Sequence, residues 1–519
     1  MNTDLSKKQK GITSTCLTLS LFTTLVYHIP AFRTVIDNVE NGLNGVLIFA
    51  SVVILMITAN YLLYYLLLWV GRIVGKTIIA LVFIANAVAL YFINTYEVLI
   101  TANMMGNVFN TRFSEASGFF SFSAIAYITL LGIPPVIYLF AYKTDYSSFR
   151  KFLANIGTSL LIIIIVLFAN LHNTLWIDNN SQRLGSQLIP WSYIVNSVRY
   201  ISKSKKRNQK EILLPDAQFT TESNDVCVLI IGESARQKNF SLYGYQRETN
   251  PLLATEDIKT YKALSAATFT TAAVKAILDH KPTDKLYEIL PNYLYRNGAD
   301  VVWHSFNWGE PPLHIEKYKN HKELAKQYPD SDARYDELLL KGLKEEILAC
   351  NKKKQLIVLH LSTSHGPTYN KKYPAEFELF TPACNSVEIS TADKQELLNA
   401  YDNTILYTDY LLHSTIEILK QIPDRRCCMI FVSDHGESLG EGNLFMHDIP
   451  KKIAPKEQIE IPFIVWQNDS NTHFKELSEV GQYHIFHSVM NYLGIHSAIY
   501  NEDMNIFERR FKDYMSSSL

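Results

Sequence analysis

The sequence predicts two unlike parts, an α-helical membrane domain and an α/β domain built on a mostly parallel sheet, and three observations predict them. Apolar residues make up 48% of the 519 and crowd into the stretch before about Asn170. From about Asp216, short apolar runs alternate with helical patterns. The residues best suited to hold a metal then follow those runs. A chain this long exceeds one ordinary domain and is too apolar for two soluble ones. The division expected is a membrane domain of about five transmembrane helices over 1–172, a linker with an amphipathic helix over 173–215, and an outer domain over 216–519. With 49 basic and 50 acidic residues, nothing marks a nucleic-acid binder. Five of the six cysteines lie in the later part and none has CxxC spacing, so neither a cysteine zinc site nor a disulfide framework can be read from them.

The first apolar segment, 12–31, follows Lys7, Lys8 and Lys10 and has no small-residue cleavage site, so it is expected to be a retained helix. Further spans are expected at 45–70, 77–93, 119–142 and 157–169, against the ~20 residues that cross a bilayer, the last one short. If the helices alternate, Lys7, Lys8, Lys10, Arg72, Lys76, Lys143, Arg150 and Lys151 share one side, which the positive-inside bias makes cytoplasmic. Everything after Asn170 is then outside, including the basic run Lys203, Lys205, Lys206 and Arg207. Between spans, Asn107, Thr111 and Glu115 recur every fourth residue, which stacks them on one face if the segment is helical. Trp191, Ile194, Val195, Val198 and Ile201 also have helical spacing. Followed by basic residues, they fit either a helix lying on the membrane surface or an ordinary helix packed on its own domain.

In the outer domain, strands are expected at 226–231, 300–304, 355–361, 429–433 and 462–466, with helices at 284–297, 333–349 and 394–419. Ligands of such sheets bind beyond the carboxyl ends of the strands. Glu233 follows the first of these strands, His365 the third, and the adjacent Asp434 and His435 the fourth, so all share one edge. Carboxylate oxygen and imidazole nitrogen are ligands that divalent metals accept. Alone, an Asp-His pair is more simply a turn cap and a loop histidine. The stretch Ser265–Leu278 reads as a polar turn entering a helix, which puts Thr270 or Thr271 at a helix start where free amides attract phosphate. A plain threonine cap explains the same pattern. Beside a metal, a threonine hydroxyl gains a lowered pKa and becomes a usable nucleophile.

Four motifs then carry a resemblance that spans essentially the whole chain. They are Leu229-Ile-Ile-Gly-Glu-Ser-Ala-Arg236 running on to Thr249-Asn-Pro251, His365-Gly-Pro367, Leu398-Asn-Ala-Tyr-Asp-Asn403 and Ser433-Asp-His-Gly-Glu-Ser-Leu-Gly-Glu441. In this order, after about five apolar helices, they resemble the bacterial phosphoethanolamine transferases that decorate lipid A and lipopolysaccharide core, a family that includes colistin-resistance enzymes. The resemblance implies an alkaline-phosphatase-like periplasmic domain on an inner-membrane anchor. It also implies a zinc ion held by Glu233, Asp434, His435 and the Thr270 hydroxyl, with Thr270 chosen because Thr268-Phe-Thr270 fits the family's Thr-x-Thr segment. His365 and His447 match histidines near the phosphoryl group, and His360 matches a further one. Asn107, Thr111 and Glu115 match residues lining an ethanolamine site. Glu437 is the residue available for a second metal.

The sequence also departs from the family. Ala266 and Ala276 stand where cysteines usually flank the nucleophile, and Cys384 lacks its usual partner, leaving Cys427 or Cys428 as alternatives. A substrate-binding Asn-Ser-Gly-x-x-Lys segment appears as Asn307-Trp-Gly-Glu-Pro, without the lysine. The expected reaction is ping-pong transfer from phosphatidylethanolamine through phosphothreonine to a lipopolysaccharide acceptor. Two rivals predict other results: a sulfatase-like hydrolase or phosphoglycerol transferase of the same fold uses another donor, and a metal-holding binding protein tolerates Thr270→Ala.

Overall fold

The computed structural model describes residues 8–39, 42–111, 119, 121–207, 211–386, 389 and 392–508. It divides into two compact units, Met1–Ser204 and Lys205–Leu519.

Three helices of the first unit are long and apolar enough to cross a membrane: Leu43–Tyr96, Phe122–Ala141 and Phe149–Ala169. The first of these is 54 residues long and contains two of the expected spans, because it reverses at Arg72, whose φ of 45° is not helical. The reversal is tight: a β-carbon at Gly75 would collide with the Leu67 carbonyl, and the Tyr64 and Phe83 rings meet at 5.7 Å. Glycine is thus required where the two arms touch. The expected 12–31 helix is instead a pair, Ile12–Tyr27 and Ile29–Asn38, bent by 59°. Pro30 sits in the first turn of the second arm, where it has no N–H to continue the helical ladder back into the first arm, and His28, with φ −97° and ψ 8°, is the non-helical residue between the arms. The last span is not short. It begins at Phe149, with Arg150 and Lys151 exposed on its first turn.

The basic flanks gather at one end of this unit. Gln9–Gly11 pairs in parallel with Lys143–Asp145, the Lys76 ammonium donates to the Leu139 and Tyr142 carbonyls at 3.0 Å each, and the Arg72 guanidinium lies over the Tyr146 ring. Alternating spans produce this arrangement. The helix expected to display Asn107, Thr111 and Glu115 on one face is Ala102–Asn110; Thr111 leaves helical geometry, with ψ 130°, and bonds back to Asn107 O through both its N–H and its hydroxyl. The one-face reading therefore stops at Thr111, and Glu115 lies outside the described residues. Helix Trp191–Arg207 turns polar residues inward. Trp191 bonds Asn60, Tyr193 bonds Asn86 and Asn196 bonds Ile100 O, while Val195, Val198 and Ile201 are exposed.

The second unit is built on an eight-stranded sheet of β1 (Asp225–Gly232), β2 (Ile258–Leu264), β3 (Asp300–Ser305), β4 (Lys317–Asn320), β5 (Lys354–His360), β6 (Arg426–Ser433), β7 (Glu460–Gln467) and β8 (Val480–Gly481). Its order is β8-β2-β7-β6-β1-β5-β3-β4. Only β7 opposes the rest, pairing antiparallel with β2 and β6. Every residue of β1 and β5 is buried, as continuous apolar runs in a two-sided parallel sheet require. Alternate residues Cys227, Leu229 and Ile231 of β1 face one core with helices α1 (Thr270–Leu278), α2 (Leu290–Arg296) and α5 (His484–Tyr492). Helix α4 (Lys394–Lys420) packs on the sheet through β6 and is capped by Asp393, which accepts from Gln395 and Glu396.

Two expected helices are shorter than their patterns. The 284–297 helix begins only at Leu290, where Pro291 sits in the first turn, a position suited to proline. The 333–349 helix is interrupted at Gly342, whose φ of 74° leaves a 3-10 turn at Asp336–Leu340 and helix α3 (Leu343–Leu348). All six cysteines are unbridged, so of the two alternatives, packing or a pair with Cys427 or Cys428, no pair is formed. Cys384 bonds Ser386 O and Cys427 bonds Arg425 O.

Candidate metal centre and nucleophile

Three groups converge at the carboxyl edge of the sheet. β1 ends at Gly232 and delivers Glu233; β6 ends at Ser433 and delivers Asp434 and His435. The strands are neighbours in register, Gly232 opposite Ser433, so the two loops open side by side. One ligand atom from each of Glu233, Asp434 and His435 lies within 4.8 Å of the others, and all three side chains are buried. His435 Nε2 stands 3.4 Å from Glu233 Oε1 and 3.3 Å from Asp434 Oδ2.

Thr270 completes the cluster from α1. It is the first helical residue; Phe269 occupies the cap position and makes no side-chain cap bond. The Thr270 hydroxyl is therefore not a helix cap. It donates to Glu233 Oε2 at 3.2 Å and lies 3.4 Å from His435 Nε2. Thr271 points to no ligand of this cluster and is half-buried. The first amides of α1 have no intrahelical partner and suit an anion.

The cluster fits a zinc ion on the structure's own chemistry. Asp434 Oδ2 is buried and has no hydrogen-bond partner among the described residues, while Oδ1 accepts from the Ser234 and His435 amides at 3.0 and 2.6 Å. An orphaned buried carboxylate oxygen is costly unless a cation meets it. Two carboxylates, an imidazole nitrogen and a hydroxyl form an oxygen and nitrogen donor set that zinc accepts. The charges agree. Burial would raise Glu233, but His435, His365 and His447 hold it below the usual carboxylate range. Burial and the Glu233 charge push Asp434 well up, so the second acid ionises readily only with a cation between them.

The histidines form a second rank. The His447 ring centroid lies 4.3 Å from that of His435, with the planes tilted by 42°, and 5.6 Å from that of His365, edge-on at 68°. Its Nδ1 is 3.3 Å from Glu437 Oε2. Burial, then the His435 charge, pushes His447 down to about 3, while burial raises Glu437 to about 8. Glu437 Oε1 has no hydrogen-bond partner among the described residues. His360 is the last residue of β5, fully buried, with neither ring nitrogen hydrogen-bonded among the described residues and Glu310 Oε2 at 3.9 Å.

Several residues that hold this geometry escaped the motif reading. Ser234 adopts a left-handed φ of 53°, a strained conformation that surrounding contacts must enforce. Tyr401 of α4 enforces it, donating to Ser234 O at 2.7 Å and accepting the Arg236 amide at 3.0 Å. Gln482 donates to the Ser433 and Asp434 carbonyls at 3.0 and 2.5 Å. Asn307 Nδ2 donates to Glu233 Oε2 at 2.6 Å. Side chains like these carry no spacing signal; Ser234 and Tyr401 lay inside quoted motifs and Asn307 inside a quoted segment, but none was given this role.

Known proteins resemble this chain in sequence and fold. The sulfatase family model matches residues 225–495, and a model described as phosphoethanolamine transferase EptA/EptB matches 56–204. Phosphoethanolamine transferase EptA of Helicobacter pylori is 37% identical over 487 residues, 91% of this chain and 92% of that protein. Phosphatidylethanolamine transferase Mcr-2 of Escherichia coli is 30% identical over 435 residues, 78% and 80% of the two chains. The solved integral membrane lipooligosaccharide phosphoethanolamine transferase A of Neisseria meningitidis has the same fold, with a TM-score of 0.87 at 24% identity over 96% of this chain and 98% of that one. With a relative this similar over nine-tenths of its length, the chain belongs to the phosphoethanolamine transferases, integral membrane enzymes with a sulfatase-family domain.

Proposed function

We propose that this enzyme moves phosphoethanolamine from phosphatidylethanolamine to a lipopolysaccharide acceptor, lipid A or a core sugar or phosphate, through a covalent phosphothreonine at Thr270. The observation that carries this reading is the Thr270 hydroxyl, set at an uncapped helix start and 3.2 and 3.4 Å from two of the three clustered ligand residues, Glu233 and His435. The names of the relatives, which include a Kdo(2)-lipid A phosphoethanolamine transferase of Escherichia coli, agree with a lipopolysaccharide acceptor.

Glu233, Asp434, His435 and Thr270 would hold one zinc ion, which when bound lowers the pKa of a hydroxyl and polarises a phosphoryl oxygen. Thr270 Oγ1 attacks the phosphorus of the donor, and the bond to the diacylglycerol oxygen breaks. That oxygen leaves with a proton, for which His365 is a candidate donor. The free amides at the start of α1 bind phosphoryl oxygens as charge builds there. In the second half, an acceptor oxygen attacks phosphothreonine and Thr270 is released. His447, whose ring lies beside those of His435 and His365, is the candidate for taking the acceptor's proton. We assign the ethanolamine group to Asn107, Thr111 and Glu115, and a phosphate contact to His360.

The gathering of basic flanks at one end supports an orientation in the bacterial inner membrane with the catalytic domain in the periplasm. A 30% identical relative, solved as the C-terminal periplasmic domain of phosphoethanolamine transferase EptC from Campylobacter jejuni, agrees with it. A donor assay tests the reading. Purified enzyme with lipid A should release diacylglycerol from phosphatidylethanolamine and not from phosphatidylglycerol; preference for phosphatidylglycerol would reassign it as a phosphoglycerol transferase.

A further inference from the structure

The family resemblance gives the 307–311 segment to the substrate, yet the side chain of Asn307 is already engaged. It is buried, and its Nδ2 donates to Glu233 Oε2 at 2.6 Å and to Leu361 O at 2.8 Å. Its Oδ1 accepts the Trp308 amide at 2.8 Å. A side-chain amide has two N–H donors, and both are used inside the protein. None is left for a phosphate oxygen.

The surrounding loop holds that amide in place. Ser305 Oγ accepts the Asn307 N–H at 3.2 Å and donates to the Asn307 carbonyl at 3.0 Å. Gly309 turns the loop with a φ of 96°, and a β-carbon there would meet the Thr271 methyl at 3.1 Å and the Thr270 methyl at 3.5 Å. The loop after β3 is thus seated on the first turn of α1. Glu233 Oε2, which Asn307 grips, is the oxygen that also receives the Thr270 hydroxyl at 3.2 Å, while Ser234 Oγ holds Oε1 at 2.7 Å.

We propose that Asn307 is a positioning residue for the metal centre: it fixes the Glu233 carboxylate so that one oxygen faces Thr270, and it does not bind substrate. This rests on the zinc-centre reading above. Partners that orient a metal ligand typically change metal affinity by roughly 10–100-fold when removed. A substrate contact would instead change the Michaelis constant for the donor.

The test uses the full chain in detergent, measuring zinc affinity by competition with a chromogenic chelator for wild type, Asn307→Ala, Asn307→Leu and Glu233→Ala. Leucine nearly preserves the shape of asparagine and lacks its donors, which separates lost hydrogen bonds from lost packing. Both Asn307 variants should bind zinc about 10–100-fold more weakly. At saturating zinc, kcat should fall while KM for phosphatidylethanolamine stays put. Unchanged zinc affinity in either folded variant, or a raised KM alone, overturns the proposal and leaves the zinc centre standing. If Glu233→Ala binds zinc as tightly as wild type, the zinc centre itself is wrong and the proposal falls with it.

Discussion

Thr270, Glu233, Asp434 and His435 form one group because three elements meet there, the end of β1, the end of β6 and the start of α1, and none of the four is exposed by more than 6%. Removing either carboxylate leaves the other buried opposite His435 with no complete ligand set. Glu233→Ala and Asp434→Ala should each lose bound zinc and all transfer, seen by metal analysis and a donor-release assay; full activity in either contradicts the assignment. These residues were legible because each directly follows an apolar strand or a polar turn. The role of Asn307 was not, since its partner is 74 positions away and its segment reads only as the counterpart of a substrate-binding stretch. A second acid reads out pH. Burial raises Asp409 from 3.8 to about 7, although the Leu252 and Leu253 amides bond its carboxylate. Its folded pKa lies above its unfolded one, so its stabilisation is whole below about pH 4 and is lost as pH rises to about 7. Asp409→Asn should flatten the stability change between pH 4 and 7 in chemical denaturation; an unchanged slope would contradict this.

At the scale of elements, α4 does more than cover the sheet. Through Tyr401 it ties down the strained Ser234, and through Asp402 it holds Asn239, Tyr245 and Arg247 of the same loop. Tyr401→Phe should lower unfolding stability by roughly 1–3 kcal/mol, because it leaves the buried Ser234 carbonyl and Arg236 amide without their partner. Transfer should fall as well. A variant with wild-type stability and activity would show that the loop holds itself. The five buried strands could be placed from sequence because continuous apolar runs are unambiguous. β2 and β4 could not, since Lys259, Lys262, Lys317 and Lys319 interrupt the pattern at strands with open faces. Helix ends failed where Pro291 and Gly342 acted locally against an otherwise helical period.

For the whole molecule, the division into a helical membrane part and a sheet domain was legible from the uneven distribution of apolar residues alone. The hairpin at Arg72 was legible as the charged gap between the 45–70 and 77–93 spans, but the bend at His28 was not, because a window average continues smoothly across it. The proposed orientation rests on Lys10, Arg72, Lys76 and Lys143 meeting at one end. A cysteine at Ser147 should react with a membrane-impermeant maleimide only after spheroplasts are opened, and one at Asn501 should react before; the reverse pattern would invert the protein. The central claim is that Thr270 carries the phosphoethanolamine group. Intact-mass spectrometry after incubation with phosphatidylethanolamine tests it most directly, with Thr270→Ala beside the wild type. A single phosphoethanolamine adduct on the wild type alone is the predicted result; the same adduct on the variant, or none on zinc-loaded wild type, would contradict it.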